Sequence, residues 1–249
     1  MRLRIGNRAF TPRPVSVLLT FVALAACIRL GWWQVDRGNE KQALLAQFAA
    51  GTRTTVDVAG IDLDSLARYQ HVRILGHYLP QQQILIDNMP SAIGAPGYRV
   101  LTPFSRADGR GLLLVDRGWV PLGASRQVMP DVAVGAGQRT VTGRLDDLPV
   151  PGVRIGEAGV TGDQRWPRVL LFPTVADIEH SLGARVAPRI VLLDADLPDG
   201  YEREWRPAIG FGPERHFGYA LQWFALAATA AVAFVAMNLR RSVPPAAES

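Results

Sequence analysis

The sequence predicts an α+β membrane protein in which two transmembrane helices flank a mostly antiparallel β domain outside the cytoplasm. Two apolar segments bracket the chain, from Val15 to Trp33 and from Phe217 to Leu239. Arginines lie at the end of each segment that is nearer to a chain terminus. The sequence between them contains short strand-like segments separated by glycine, proline and aspartate, which is typical of a β-rich domain. We therefore expect a small barrel or sandwich with one or two short helices.

The first apolar segment, Val15–Trp33, follows a predicted cytoplasmic tail of residues 1–14. At about 1.5 Å per residue, a helix of this length crosses a hydrocarbon core about 30 Å thick. Its one charged residue, Arg29, lies near the outer end, where a long side chain reaches the polar interface. Trp32 and Trp33 follow it, at a depth where indole rings are enriched. The segment predicts the first transmembrane helix.

The second apolar segment, Phe217–Leu239, contains no charged residue and predicts the second transmembrane helix, followed by a tail of residues 240–249. The arginines that flank the two segments are Arg2, Arg4, Arg8, Arg13, Arg240 and Arg241. Because basic residues favour the cytoplasmic side, both termini are predicted in the cytoplasm and residues 34–215 on the opposite side. We expect a multi-pass protein of the bacterial cytoplasmic (inner) membrane with a periplasmic central domain.

The single cysteine, Cys27, lies inside the first apolar segment. The central domain therefore has no disulfide, no cysteine zinc site and no C-x-x-C-H haem attachment. The run Leu24-Ala25-Ala26-Cys27 also resembles a lipoprotein signal, so lipidation and an uncleaved anchor both stay open. The uncleaved anchor is favoured, because such short matches are frequent in alanine-rich segments.

Local patterns also predict elements of the central domain. Apolar periodicity predicts a helix from Gln34 to Ala50 that continues the first membrane helix. Asp62 and Thr174 are typical capping residues, and they predict short helices at Leu63–Ala67 and at Val175–Leu182, the second ended by Gly183. The predicted strands are Thr54–Val58, His71–Tyr78, Gln83–Asp87, Tyr98–Phe104, Leu112–Asp116, Arg139–Leu145 and Pro188–Leu193. Glycine and proline predict long loops at Met129–Gly137 and Pro149–Gly162.

Composition and motifs exclude several classes of function. The net charge of +5 comes from scattered arginines and matches no nucleic-acid-binding pattern, so no nucleic acid is expected as a partner. The sequence contains no P-loop, no H-E-x-x-H and no dinucleotide fingerprint. Arg117-Gly118-Trp119 indicates either a partner contact or a turn with a buried indole. Asp194-x-Asp196 indicates either a metal carboxylate pair or a turn at a strand end, with the turn favoured. We expect the protein not to be an enzyme.

The strongest candidate site lies where the second apolar segment begins. On a helix, His216, Tyr219, Ala220 and Trp223 share one face, which offers an imidazole, a phenol, a gap and an indole. A flat apolar ring fits against such a face, with His216 as ligand to its metal, as histidine is in haem proteins. Trp33 and Arg37 lie at the same interface on the first helix. Aromatic residues are also enriched at membrane interfaces for general reasons, so a histidine facing water is the alternative.

Several short groups of residues, taken in order, resemble the Surfeit locus protein family, the cytochrome c oxidase assembly factors with two membrane helices around an external domain. The groups are Leu30-Gly31-x-Trp33-Gln34-x-x-Arg37-x-x-x-Lys41, Gly76-x-Tyr78, Gly97-Tyr98-x-Val100-Leu101-Thr102-Pro103, Val115-Asp116-Arg117-Gly118-Trp119-Val120-Pro121 and His216-x-x-Tyr219-Ala220-x-Gln222-Trp223-Phe224. The resemblance implies a role in building subunit I of the oxidase, with haem A as cofactor, and His216 matches the proposed haem ligand.

We interpret the chain as an assembly factor that binds haem A at the outer membrane interface and assists its insertion into, or stabilisation in, subunit I. Its expected partners are that subunit, other assembly factors and membrane lipid. His216 would ligate the iron, Tyr219 and Trp223 would pack on the macrocycle, and Trp33 and Arg37 would complete the pocket.

Two alternatives stay open at this stage. In a cofactor-free scaffold for the catalytic subunit, His216 is a hydrogen-bonding interface residue. A membrane-tethered hydrolase would need Asp116, Asp194 and His71 to converge in a pocket.

Overall fold

The computed structural model describes both long helices and most of the central domain. The described residues are 3–5, 8–91, 93–123, 128–149, 159–160, 165–207 and 209–241. Most of the predicted loop Pro149–Gly162, and the last residues 242–249, lie outside the described residues.

The chain contains three helices, a 3₁₀ turn and twelve strands in its described part. The helices are α1 (Pro14–Ala50), α2 (Val175–Leu182) and α3 (Pro213–Asn238), and the 3₁₀ turn is Leu63–Ser65. The strands are β1 (Leu3–Ile5), β2 (Arg8–Phe10), β3 (Thr55–Asp57), β4 (His71–Tyr78), β5 (Ile84–Ile86), β6 (Gly97–Arg106), β7 (Leu112–Pro121), β8 (Arg139–Asp146), β9 (Gly159–Val160), β10 (Arg168–Leu171), β11 (Val186–Leu193) and β12 (Leu239–Arg241). The chain divides into two compact units: a helical unit (1–46 with 208–249) and a barrel unit (47–207).

The first long helix, α1, is uninterrupted over 37 residues, and α3 has 26 residues. Both helices are long and apolar enough to cross a membrane, judged by length and composition. The predicted continuation of the first helix from Gln34 to Ala50 is confirmed. The second helix begins at Pro213 rather than Phe217, because proline suits a first turn in which its missing N–H has no partner to bind.

A small sheet joins the two ends of the helical unit. β2 lies between β1 and β12 and runs antiparallel to both. Leu239 pairs with Phe10, and the ring of Phe10 meets the ring of Phe234 edge to face with centroids 5.9 Å apart. The segments before α1 and after α3 therefore run side by side.

In the barrel unit, five strands form a closed ring. β4 pairs with β8, β8 with β11, β11 with β7, β7 with β6, and β6 returns to β4. Three pairs in the sheet are parallel (β3–β4, β5–β10 and β7–β11) and the other six are antiparallel. The architecture is thus a small, mostly antiparallel barrel, which is one of the two architectures that the sequence predicted.

β6 closes the barrel because it pairs with two strands, β5 and β4, along the same edge. Its first half pairs with β5 through Arg99–Leu101, and its last three residues pair with β4 through Phe104–Arg106. Beyond β5, the sheet extends through β10 to β9.

Three apolar cores form among the described residues. Along β4, every second side chain from Val72 onwards is buried, as expected when one face of a strand points into a core. The barrel core includes Val72, Ile74, Tyr78, Phe104, Val115, Val141, Leu145 and Val191. A second core packs Ile178 and Leu182 of α2 against side chains of β5, β6, β7, β10 and β11. A third core consists of Leu85, Tyr98, Val100, Val120, Val132 and Val169. Thr174 caps α2 and Gly183 ends it in the left-handed conformation, which confirms that prediction.

Most predicted elements are present with shifted ends. All seven predicted strands form, and β7 continues past Asp116 to Pro121. The helix predicted at Leu63–Ala67 is instead the single 3₁₀ turn Leu63–Ser65, because Leu66 is already extended although Asp62 caps the turn as expected. β10 was not predicted; its main partner is the parallel strand β5, which is remote in sequence.

A bulge in β7 is stabilised by an ion pair between the buried Asp116 and the half-buried Arg99. Between its pairings with Leu101 and Arg99, β7 carries one extra residue, and Gly118 there has φ +111°. The fully buried Asp116 carboxylate accepts from Arg99 Nε, 3.0–3.1 Å from both carboxylate oxygens, and from the Gly118 amide at 3.0 Å. Burial raises the pKa of the Asp116 carboxyl, and Arg99 opposes that rise. The ion pair thus ties β7 to β6 where the register shifts.

We expect Asp116→Ala to lower the free energy of unfolding of the barrel unit by about 1–3 kcal/mol, because it removes the acceptor of the Arg99 side chain and of the Gly118 amide. Urea denaturation of the full chain in detergent, followed by circular dichroism, measures this. Asp196→Ala is the matched control, since Asp196 is exposed, and should change the value by less than about 0.5 kcal/mol. Equal values for the two variants would contradict the role given to the pair.

Candidate functional site

The site residues lie on a pair of helices that pack along a line of small residues. Gly31 and Gly38 of α1 are buried, and a Cβ built at either would lie 2.6 Å from a phenyl carbon of α3, of Phe224 and Phe217 respectively. The buried positions of α3 include Ala220 and Ala227, seven residues apart like the two glycines. A repeat of seven keeps such a line facing its partner helix, and small residues let the backbones approach closely. We call this line the seam.

His216 contacts α1 through Gln34. The Nδ1 atom of His216 lies 2.8 Å from Oε1 of Gln34. The imidazole is half-buried, and its Nε2 has no hydrogen-bond partner among the described residues. This contact fixes which side of α1 faces which side of α3.

The predicted residues of α3 lie on the same side of the seam as His216. At about 100° per residue, His216, Trp223 and Tyr219 lie about 40°, 60° and 100° from Ala220 in one direction. Trp223 is half-buried and Tyr219 is 47% exposed. We call this side the His216 flank. Ala220 itself belongs to the seam rather than to an open gap.

On α1, Gln34 lies on the matching side, whereas the predicted residues Arg37 and Trp33 are turned progressively away from the seam. Gln34, Arg37 and Trp33 lie about 60°, 120° and 160° from Gly31 in one direction. Trp33 is 43% exposed and is the furthest of them from the seam. Arg37 is exposed and pairs with Glu40 at 2.7 Å. Trp32 contacts α3: its ring meets that of Phe224 edge to face at 5.9 Å, on the other side of the seam.

This arrangement fits a flat ligand that carries a metal. The described residues contain no group of three or more His, Cys, Asp or Glu side chains that could hold a bare metal ion. His216 offers one uncommitted ring nitrogen, and Trp223 and Tyr219 follow on the same flank. Arg37 is exposed enough to reach a ligand's carboxylates in place of Glu40. The residue that prediction missed is Gln34; its signal was a polar side chain between two glycines seven residues apart.

The Arg117-Gly118-Trp119 motif, by contrast, is built into the barrel unit. Arg117 is buried and donates from Nη1 to Gln83 Oε1 and to the Val132 carbonyl, both at 2.8 Å. Burial raises the pKa of the Tyr78 phenol to about 12, and Arg117 opposes that rise. Trp119 donates from Nε1 to the Met89 carbonyl at 2.8 Å. These contacts favour a structural role over a partner contact, but the motif lies in the bulge of β7 rather than in a turn, and the Trp119 indole is half-buried.

Of the three residues that a hydrolase would need, His71 and Asp194 are in contact and Asp116 is not. His71 Nε2 lies 2.8 Å from Asp194 Oδ2, and Thr55 Oγ1 lies 2.7 Å from His71 Nδ1. Asp116 does not join them, because Arg99 and the Gly118 amide occupy its oxygens. The two that meet line none of four surface cavities of 220–380 Å³ formed by described residues. Asp194 also starts the turn after β11, as its backbone carbonyl accepts from Leu197.

Comparison with known proteins gives the family. The SURF1 family matches residues 21–228, which include the seam, the His216 flank and the barrel unit. The chain belongs to the SURF1 family.

Relatives in this family come from bacteria and eukaryotes. A SURF1-like protein of Rickettsia bellii is 37% identical over 107 residues, 42% of each chain. A SURF1-like protein of Drosophila melanogaster is 31% identical over 229 residues, 82% of this chain and 71% of its own. The cytochrome oxidase assembly protein SHY1 of Saccharomyces cerevisiae is 31% identical over 108 residues, 41% of this chain and 26% of its own. The chain thus spans about two fifths of the rickettsial SURF1 relative that it matches.

We expect Gly31→Leu to destabilise the helical unit by about 1–3 kcal/mol, because the new side chain overlaps the Phe224 ring and pushes the helices apart. Gly218→Leu is the matched control: it also replaces a helical glycine, but no atom lies within 4 Å of a Cβ there. The thermal unfolding midpoints of both variants in detergent, followed by helical circular dichroism, measure the difference. Identical midpoints would mean that the glycines do not set the helix spacing.

Proposed function

We propose that this SURF1 family protein is an assembly factor for a haem-A-containing cytochrome c oxidase. It binds haem A at the periplasmic interface of the cytoplasmic membrane and assists the insertion of haem A into, or its stabilisation in, subunit I. Family membership and the name of the yeast relative, a cytochrome oxidase assembly protein, support the assembly role. The choice of haem A and of subunit I follows from the family resemblance. The proposed role requires no catalysis by this chain.

The observation that best supports haem binding is the hydrogen bonding of the two ring nitrogens of His216. Its Nδ1 is held by Gln34 at 2.8 Å, while Nε2 has no partner among the described residues and is the atom that would ligate the iron. In this proposal Trp223 and Tyr219 pack against the macrocycle. Arg37 meets a propionate, and Trp33 forms the outer edge of the pocket. A single protein ligand would hold the group less firmly than two would, which suits a carrier that must release its cargo.

We propose further that α1 and α3 cross the bacterial cytoplasmic membrane, with both termini in the cytoplasm and the barrel unit in the periplasm. The length and composition of the helices support two crossings. Pairing of β2 with β12 supports a common side for the two chain ends. The arginines that flank both helices support the cytoplasm as that side. Lipid is then a partner, together with subunit I and other assembly factors.

Reporter fusions test this topology. A reporter active only outside the cytoplasm should be active when fused after Leu145 and silent when fused after Ser249. The reverse result would place the His216 flank at the wrong interface for the proposal. The intact mass of the same protein tests the anchor: a chain that begins at Cys27 with a lipid attached would replace the uncleaved helix.

The haem content of the purified protein tests the ligand. We expect protein from cells that make haem A to carry a Soret band, and His216→Ala to reduce it about tenfold or more, since even the hydrogen-bond partners of metal ligands contribute that much. Trp223→Ala should reduce it less, about two- to tenfold, because it removes ring packing and leaves the ligand.

Gln222→Ala is the control on the same helix. Gln222 lies about 120° from His216, so its loss should leave the haem content unchanged. A cofactor-free scaffold for the catalytic subunit is the second candidate. The Gln34–His216 hydrogen bond favours it, since that bond gives His216 an interface role without any metal. Wild-type haem content in His216→Ala, or no haem in the wild type, would make the scaffold the better account.

A further inference from the structure

We infer that Gln34 is the positioning residue of His216: its amide oxygen holds the imidazole in the tautomer that leaves the lone pair on Nε2. The identity of the metal that Nε2 then binds, the iron of a haem, rests on the proposed function. The tautomer itself does not, because it follows from a contact within the protein.

The contact is set by the packing of the helical unit. Gln34 lies between Gly31 and Gly38, and His216 precedes Phe217, whose ring lies over Gly38. Both residues are half-buried, and the distance from Nδ1 to Oε1 is 2.8 Å, that of a well-formed hydrogen bond. Rotation of the imidazole is therefore restrained from the α1 side.

The chemistry of the two groups fixes the proton. A carboxamide oxygen accepts hydrogen bonds and has no proton to donate, so the nitrogen that faces it must carry one. In a neutral imidazole with a proton on Nδ1, the lone pair is on Nε2. Histidines that bind metals are oriented in this way, by a hydrogen bond from the ring nitrogen that does not bind the metal.

The partner of His216 is neutral, and this shapes the strength of the ligand. A carboxylate in the place of Gln34 would make the imidazole a more basic ligand. Of the charged side chains near His216 on the two helices, Arg37 pairs with Glu40 at 2.7 Å, and Arg215 stacks on Phe211 at 4.7 Å. An amide partner thus orients the ligand without strengthening it, in keeping with a group that must let its cargo go.

Nitrogen-15 NMR of the haem-free full chain in detergent tests the tautomer directly. With ¹⁵N-labelled histidine rings and His216→Ala to assign the signal, we expect His216 to carry its proton on Nδ1 at a pH where the ring is neutral. In Gln34→Leu this preference should be lost. Gln42→Leu is the matched control, an exposed glutamine on the same helix, and should leave the His216 signal unchanged.

Titration of the same variants with haemin tests the consequence. Gln34→Leu should raise the dissociation constant about tenfold or more, and Gln42→Leu should not change it. Gln34→Glu should shift the midpoint potential of the bound haemin to more negative values, because a more basic ligand favours ferric iron. This variant keeps a hydrogen-bond acceptor, so it remains informative if Gln34→Leu fails to fold.

The outcomes separate the inference from the proposed function. A proton on Nε2 in the wild type would overturn the inference, since the Gln34 amide would then be donating through its nitrogen; haem binding through Nδ1 would survive. Equal losses of haemin affinity in Gln34→Leu and Gln42→Leu would also overturn it. If the wild type shows the Nδ1 proton but binds no haemin, the proposed function fails and the role of Gln34 toward His216 stands.

Discussion

The close approach of α1 and α3 at two glycines is the constraint on which the rest of the candidate site depends. A Cβ at Gly31 or Gly38 would lie 2.6 Å from a phenyl carbon of α3, so only glycine lets the two rings lie where they do. This spacing brings the Gln34 side chain within 2.8 Å of His216. It also places Trp32 on one side of the seam and Tyr219 and Trp223 on the other.

Several charged residues of the barrel unit stabilise its own structure. Arg99 neutralises the buried Asp116 beside the bulge, Arg117 binds backbone carbonyls inside the unit, and Asp194 is occupied by His71 and Thr142. Groups already engaged in this way are poor candidates for catalysis, because each would leave a buried partner unsatisfied if it turned to a substrate. The distinction between the two units explains why the strongest site candidate lies on the helices.

A carrier differs from an enzyme in what it requires of a metal ligand. A single histidine with a neutral hydrogen-bond partner provides orientation, and the modest strength of such a ligand keeps release feasible. Flat aromatic contacts add affinity in small increments. The His216 flank provides this combination of groups, so on the proposed function haem would be cargo rather than a resident cofactor.

Local patterns in the sequence were enough to predict both apolar helices, seven strands and the caps of α2, because hydrophobic periodicity and capping depend on neighbours along the chain. The helical spacing of His216, Tyr219 and Trp223 likewise predicted that they share a side of α3. Only the tertiary structure decided how β6 closes the barrel, that β10 pairs with β5, and that Gln34 meets His216 from 182 positions away. These contacts join segments remote in sequence, so they depend on how whole elements pack, and no local pattern encodes that geometry.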